Sequence, residues 1–202
     1  MSRKSTLRIE CLPDGALIYI PDFLVPAQAS SYFDQLRQSL AWEQSEIRLY
    51  GKSHKIPRLN AWYGEPGIHY RYSGTDFTAI PWTAELASIR DRLVDEYDLT
   101  LNSVLANYYR DGQDAMGWHA DNEPELGAAP VIATVSLGAK RTLRLRHNRR
   151  EQASFGVDLA PGSLLIMGPS LQGAWQHSLP RRVNTGPRVS LTFRQVVHSR
   201  TS

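Results

Sequence analysis

The spacing of apolar positions changes along the chain, and the change divides it into two kinds of structure. From Pro26 to about Trp42, Tyr32, Phe33, Leu36 and Leu40 recur at helical spacing, with Pro26 near the first position, where its fixed φ suits a helix. From Pro81 to about Tyr97, Trp82, Leu86, Ile89, Leu93 and Tyr97 fall on one stripe. That stripe predicts a second helix that lays an apolar face on a sheet. Residues 16–20 predict a short strand. Beyond Leu99 the runs become short and β-rich: 103–109, 131–137, 142–146, 155–159, 163–167, 174–178 and 188–197. Gly138, Pro161-Gly162, Gly168-Pro169 and Gly186-Pro187 punctuate them. Many short strands with Gly/Pro turns predict a sandwich or jelly roll rather than a βαβ fold, with the two helices covering one face. The stretch 47–73 carries Gly51, Pro57, Gly64, Pro66 and Gly67 and is expected to be irregular.

Composition narrows the class. The chain has 202 residues and 22.8 kDa, with 42% hydrophobic and 21% charged residues. This is the size of one domain and the make-up of a globular protein, which excludes disorder, collagen and coiled coil as the main state. No apolar run approaches the ~18 residues of a membrane span, and the N-terminal charges are not followed by a secretory apolar core. The single cysteine, Cys11, excludes an internal disulfide framework and a cysteine-rich zinc site. The expected setting is a reducing cytoplasm, not a membrane and not secretion.

The net charge of +3 hides a local pattern. Of 23 basic residues, 19 are arginine, whose planar fork suits phosphate and carboxylate. Residues 48–72 hold five basic residues against one acid, Glu65, and 141–150 hold five arginines. Two basic patches on a nearly neutral chain point to a polyanionic partner.

Three polar clusters carry candidate chemistry. In an extended segment, His119 and Asp121 point to the same side and can reach one ion. Chance alone supplies roughly a third of one such pair in this composition, so the pair by itself is equally a solvated loop feature. His177 lies 58 residues further on, in a predicted strand, where a histidine is either a core residue or a third ligand. Two histidines and one carboxylate on one face of a metal leave open positions, as non-haem Fe(II) oxygen chemistry requires. In the run 188–194, Arg188, Ser190, Thr192 and Arg194 alternate with Val189, Leu191 and Phe193. Turned into a barrel, that polar face needs an anion, and two guanidiniums fit a dicarboxylate. On an edge strand it would instead be a solvated face. Asn107 and Tyr109 share a strand face and could donate to the same carboxylates.

The run NYYRDGQDAMGWHADNEPELG, followed by PVIATVSLGAKRTLRLRH, PGSLLIMG, WQHSLP and PRVSLTFR, resembles the AlkB family of Fe(II)- and 2-oxoglutarate-dependent dioxygenases. Within that family the chain is most similar to the DNA-repair members that act on duplex DNA, a similarity that extends to YGKSHKIPR, WYG and YRYSG upstream. The resemblance implies one dioxygenase domain across 1–202: a double-stranded β-helix core at about 100–197, N-terminal helices, and a nucleotide-recognition lid at about 45–80. It implies His119, Asp121 and His177 as iron ligands, and Asn107, Tyr109, Arg188, Ser190, Thr192 and Arg194 as the 2-oxoglutarate site. The family more often has asparagine at the position of Ser190. Tyr72, Glu123 and the His119 ring are implied at the flipped base, and Tyr50 as an aromatic finger that fills its gap. Gly51, Lys52, Arg58, Arg146, Arg149 and Arg150 are the expected nucleic-acid contacts.

The expected activity is oxidative removal of N-linked methyl groups from bases of the 1-methyladenine and 3-methylcytosine type, with release of formaldehyde. It would need Fe(II), O2 and 2-oxoglutarate. The expected partner is DNA, duplex or single-stranded, met by a monomer in the cytoplasm, at the nucleoid when it acts there. The alternative is the same chemistry on RNA or on a protein side chain. The aromatic and basic stretch before the barrel favours nucleic acid over protein.

Overall fold

The computed structural model describes residues 8–12, 14–49, 52–72 and 75–197, with backbone only at 8–11, 47–49, 52, 69–72 and 75–77. In chain order the first half runs β1 (Arg8–Leu12), β2 (Gly15–Ile20), α1 (Pro26–Ser39), β3 (Glu46–Leu49), β4 (Lys52–Lys55), β5 (Leu59–Gly64), β6 (His69–Tyr72), β7 (Thr75–Thr78), β8 (Ile80–Pro81) and α2 (Ala84–Tyr97). The second half runs β9 (Ser103–Tyr109), β10 (Met116–His119), β11 (Ile132–Gly138), β12 (Arg141–His147), β13 (Phe155–Leu159), β14 (Leu164–Met167), α3 (Leu171–Ala174), β15 (Trp175–Leu179) and β16 (Arg188–Arg194).

Eight strands form one sheet in the order β1-β2-β14-β11-β16-β9-β5-β8, and four form another in the order β10-β15-β12-β13. From β9 onward the chain mostly switches sheet from one strand to the next, which is the double-stranded β-helix that the resemblance implied, and the jelly roll of the two architectures that the Gly/Pro punctuation allowed. Strand alternation sorts the core into two layers. Val104 and Ala106 of β9, Val135 and Leu137 of β11, and Val189, Leu191 and Phe193 of β16 meet Leu36 of α1 and Leu86, Ile89 and Leu93 of α2. On the opposite face, Trp62, Leu145, Leu159, Leu165 and Trp175 pack between the sheets. All seven residues of β16 are buried. Its polar alternates therefore face the barrel interior, and the sequence alone had left this open.

Several boundaries moved for local reasons. The first helix stops at Ser39, because Leu40 turns to extended backbone (φ −73°, ψ 147°). The second starts at Ala84 rather than Pro81. Pro81 pairs with Gly64 in β8, and Thr83 caps the helix by accepting a hydrogen bond from the Leu86 amide at 3.3 Å.

The expectation of an irregular 47–73 is corrected, since the segment holds most of β3, all of β4 and β5, and β6. Strands of four to six residues are too short to display a period. Pro57 separates β4 from β5, and Pro66 and Gly67 separate β5 from β6. Gly64 ends β5 where a Cβ would stand 2.8 Å from the Asn102 carbonyl oxygen.

Candidate active site

The strand pairing that closes the smaller sheet also brings the first cluster together. His119 of β10 and His177 of β15 are direct cross-strand partners, with ring centroids 4.2 Å apart. Asp121 follows just past the end of β10, and the candidate ligand atoms of all three side chains lie within 4.8 Å of one another. Asp121 Oδ1 stands 3.9 Å from His119 Nε2, and Oδ2 stands 3.9 Å from His177 Nε2. His119 Nδ1 is 3.0 Å from the Gly117 carbonyl oxygen. A carbonyl only accepts, so Nδ1 carries the proton and Nε2 keeps its lone pair for a metal.

Charge state follows from surroundings. Burial pushes His177 down to about 3, with the neighbouring His119 acting the same way, so its imidazole is neutral at physiological pH. Burial pushes the Asp121 carboxyl up, but Arg194, His177 and His119 outweigh it and hold the group below the ordinary carboxylate range. The cluster thus offers one carboxylate and two imidazoles, a donor set suited to Fe(II) with open positions. Gln172 supports it from below: its Oε1 accepts the Asp121 amide at 2.9 Å from a fully buried position in α3.

The second cluster shares a cavity with the first. Asn107, Tyr109, Arg188, Ser190, Thr192 and Arg194 all line it, together with the triad. Register explains the gathering: Arg188 pairs with Tyr109 and Ser190 with Asn107 across β16 and β9. Arg188 is almost wholly buried, and burial brings its guanidinium down to about 10, still charged at neutral pH. It donates from Nη2 to Ser136 Oγ at 2.9 Å and stacks 5.4 Å from the centroid of the Tyr109 ring. Its Nε is buried without a partner, and among the described residues no carboxylate forms an ion pair with it. A buried, charged fork held by one hydroxyl fits an incoming carboxylate. At the other end of β16, Arg194 Nη2 lies 3.0 Å from Asp121 Oδ1.

The expected nucleic-acid residues separate into groups. Tyr50 and Gly51 lie outside the described residues, and Lys52 of β4 and Tyr72 of β6 are placed by backbone alone. Glu123 is half-buried beyond Asp121, and its Oε2 is buried with no partner. Arg149 and Arg150 are exposed. Arg146 is half-buried, its guanidinium 4.3 Å from the centroid of the Trp118 ring.

Arg58 is a correction. It is buried, and its Nε donates to Asn107 Oδ1 at 2.9 Å, so it supports the cavity wall and is not a surface phosphate contact. Arg141 likewise leaves the basic patch. It is buried, and Nη2 donates to the carbonyls of Pro180 at 2.6 Å and Asp114 at 3.1 Å. Gln172, Ser136 and the Arg58–Asn107 pair went unseen in the sequence, because each acts through a partner distant along the chain.

Fold and site together define an oxygenase of the metal- and keto-acid-dependent class. The 2OG-Fe(II) oxygenase superfamily pattern matches residues 16–194. The mouse DNA oxidative demethylase ALKBH2 is 39% identical over 182 residues, covering 85% of this chain and 76% of that protein. The human alpha-ketoglutarate-dependent dioxygenase alkB homolog 3 is 34% identical over 208 residues, covering 97% and 72%. The solved structure of OsALKBH1 superposes with a TM-score of 0.63 at 16% identity, covering 93% of this chain and all of that one, a likeness of fold. The chain belongs to the AlkB family of Fe(II)- and 2-oxoglutarate-dependent dioxygenases.

Proposed function

We propose that this enzyme repairs N-methylated bases in DNA by oxidative demethylation. The observation that carries the reading is one cavity holding both a His-Asp-His cluster and the acid-free guanidinium of Arg188. His119, Asp121 and His177 would hold Fe(II). Arg188 would take a terminal carboxylate of 2-oxoglutarate, with Ser190 and Tyr109 beside it. Because Asn107 Oδ1 is engaged by Arg58, its amide NH2 is left to donate into the cavity. When bound, iron, 2-oxoglutarate and O2 supply the oxidation that hydroxylates the methyl carbon, after which the base loses formaldehyde. The residues of the chain bind, orient and keep water out.

The buried, unpartnered Oε2 of Glu123 would favour a cationic, methylated base over a neutral one, and Tyr72 and the His119 ring would stack on it. The lid at about 45–80 would carry Tyr50 into the gap left by the flipped base, with Gly51 and Lys52 at the strand. Arg146, Arg149 and Arg150 would meet phosphate. This reading has a monomer acting in the cytoplasm, at the nucleoid, with the whole chain as one domain. Mass spectrometry of a panel of methylated DNA and RNA oligonucleotides, with and without 2-oxoglutarate, tests it. Net loss of one CH2 mass, as N–CH3 becomes N–H, from 1-methyladenine or 3-methylcytosine in DNA is expected only with the keto acid present. Turnover confined to RNA, or absent from both, overturns the assignment to DNA.

A further inference from the structure

The outer face of the smaller sheet carries an aromatic and basic groove that the iron cavity does not use. Trp118 is adjacent in sequence to His119, but His119 lines the iron cavity while Trp118 lines the outer groove, in a strand whose register is irregular between Met116 and His119. Trp118 keeps 40% of its surface exposed, unusual for a residue of its size. Arg146 reaches it from β12 across the intervening strand β15, where Gln176 is the cross-strand partner of Arg146. The guanidinium sits 4.3 Å from the Trp118 ring centroid and is fixed there by Nε and Nη2, both donating to Gln176 Oε1 at 3.0 and 2.7 Å.

Trp118, Arg146, His147, Arg150, Gln152 and Ser154 enclose a groove of about 320 Å³, with no carboxylate among them. Its volume falls at the lower end of small-molecule clefts, roughly 300–1,000 Å³. Its walls are anchored. His147 Nε2 is 3.1 Å from Asp14 Oδ2, and Asn148 is tied by its amide to Ala174 and by its side chain to Gly173. Arg150 completes the turn by donating its amide to the His147 carbonyl at 3.0 Å.

We propose that this groove binds an unpaired nucleotide of the substrate strand, next to the nucleotide whose base enters the iron cavity. Its base stacks on the Trp118–Arg146 pair, and its phosphate meets Arg150. A prearranged aromatic and guanidinium platform suits any base, because each has a π face, and the cationic rim supplies the backbone contact. The inference rests on the nucleic-acid reading above and adds to it a stacking subsite outside the cavity.

The test uses the full chain with Mn(II) and 2-oxoglutarate and two fluorescent probes, a thymidine pentanucleotide and a uridine pentanucleotide. Trp118→Ala should weaken binding of at least one probe about 5- to 150-fold, while Trp118→Phe keeps most of it. Arg146→Ala should weaken the same probe, and a pentanucleotide carrying one 5-iodouracil should crosslink to the peptide that contains Trp118. The affected probe identifies a deoxy or a ribo strand. Wild-type affinity of Trp118→Ala for both probes, in a variant that still binds 2-oxoglutarate, overturns the subsite. Failure of the wild-type protein to demethylate any oligonucleotide would instead overturn the function beneath it, so the two failures are separable.

Discussion

The two ends of β16 hold the same side chain in opposite circumstances. Arg194 is buried against Asp121, 3.0 Å away, and its charge is answered inside the protein. Arg188, six residues earlier on the same face, is as deeply buried but meets a hydroxyl and an aromatic ring, and no acid among the described residues. Burying an unanswered charge costs several kcal/mol, so a fold keeps it only where something else supplies the counter-charge. Arg194 therefore serves the metal end by holding the Asp121 carboxylate ionised. Under the proposed function, Arg188 at the other end would receive an anion from outside. A strand face that reads as one motif would then perform two functions, one internal and one directed at a ligand.

The largest effect should come from breaking the internal pair. Asp121→Ala removes the only anionic ligand and leaves Arg194 buried without its acid. Turnover of 2-oxoglutarate should be abolished, and stability should fall by about 3–5 kcal/mol in denaturant unfolding. Wild-type turnover in this variant would sink the metal site.

Arg188→Ala should behave in the opposite way. With no internal acid to abandon, the free protein should unfold near the wild-type midpoint. Affinity for 2-oxoglutarate, measured by calorimetry with Mn(II), should fall roughly 30- to several-thousand-fold, from a loss of about 2–5 kcal/mol. Arg188→Lys should restore little of it, because lysine lacks the fork. Unchanged affinity would show that the two arginines do not differ as described.

A third measurement sets both buried arginines against the exposed ones. Arg149 and Arg150 have water to answer their charge, so they should be worth little to stability and should act through phosphate. For each phosphate that a substitution leaves unneutralised, the log–log salt slope for duplex DNA should shrink by about 0.9. If substituting both leaves the slope as it was, they form a solvated face.

The smallest effect concerns the loop that leads from β9 toward the Arg188 end. Asp114 accepts from Arg110 Nε at 2.7 Å, and its carbonyl receives Arg141. Burial raises the Asp114 carboxyl, but its bonds to Arg110 outweigh this and leave it below the ordinary range. A group depressed on folding stabilises the native state above its unfolded pKa, near 3.9 for aspartate. That contribution is lost as pH falls through the lower folded value. Asp114→Asn should therefore lower stability at pH 7, converge with the wild type at acid pH, and so flatten the acid limb of the stability profile. An unaltered acid limb would remove Asp114 from that role.

Much of this protein is legible in its sequence because local rules suffice there. The stripe from Trp82 to Tyr97 needs only helical spacing, and the strands 103–109 and 155–159 lie where alternation and turn residues put them. The resemblance to a known family singled out His119, Asp121 and His177 with Arg188 and Arg194, where residue types and spacing alone had left a solvated loop, a core histidine and an edge strand open. Other features required the third dimension. Nothing local distinguishes Arg58 and Arg141, which are buried, from Arg149 and Arg150, which are exposed, because burial is decided by which strands pair above them. Among the short strands between 47 and 73, β5 stayed hidden because pairing with the distant β9 holds it extended, and β3 and β4 because a hairpin of four-residue strands is too short to show a period. The inward turn of β16 was decided by the helices. They cover Val189, Leu191 and Phe193, and a strand with one face under helices must send the other face into the barrel.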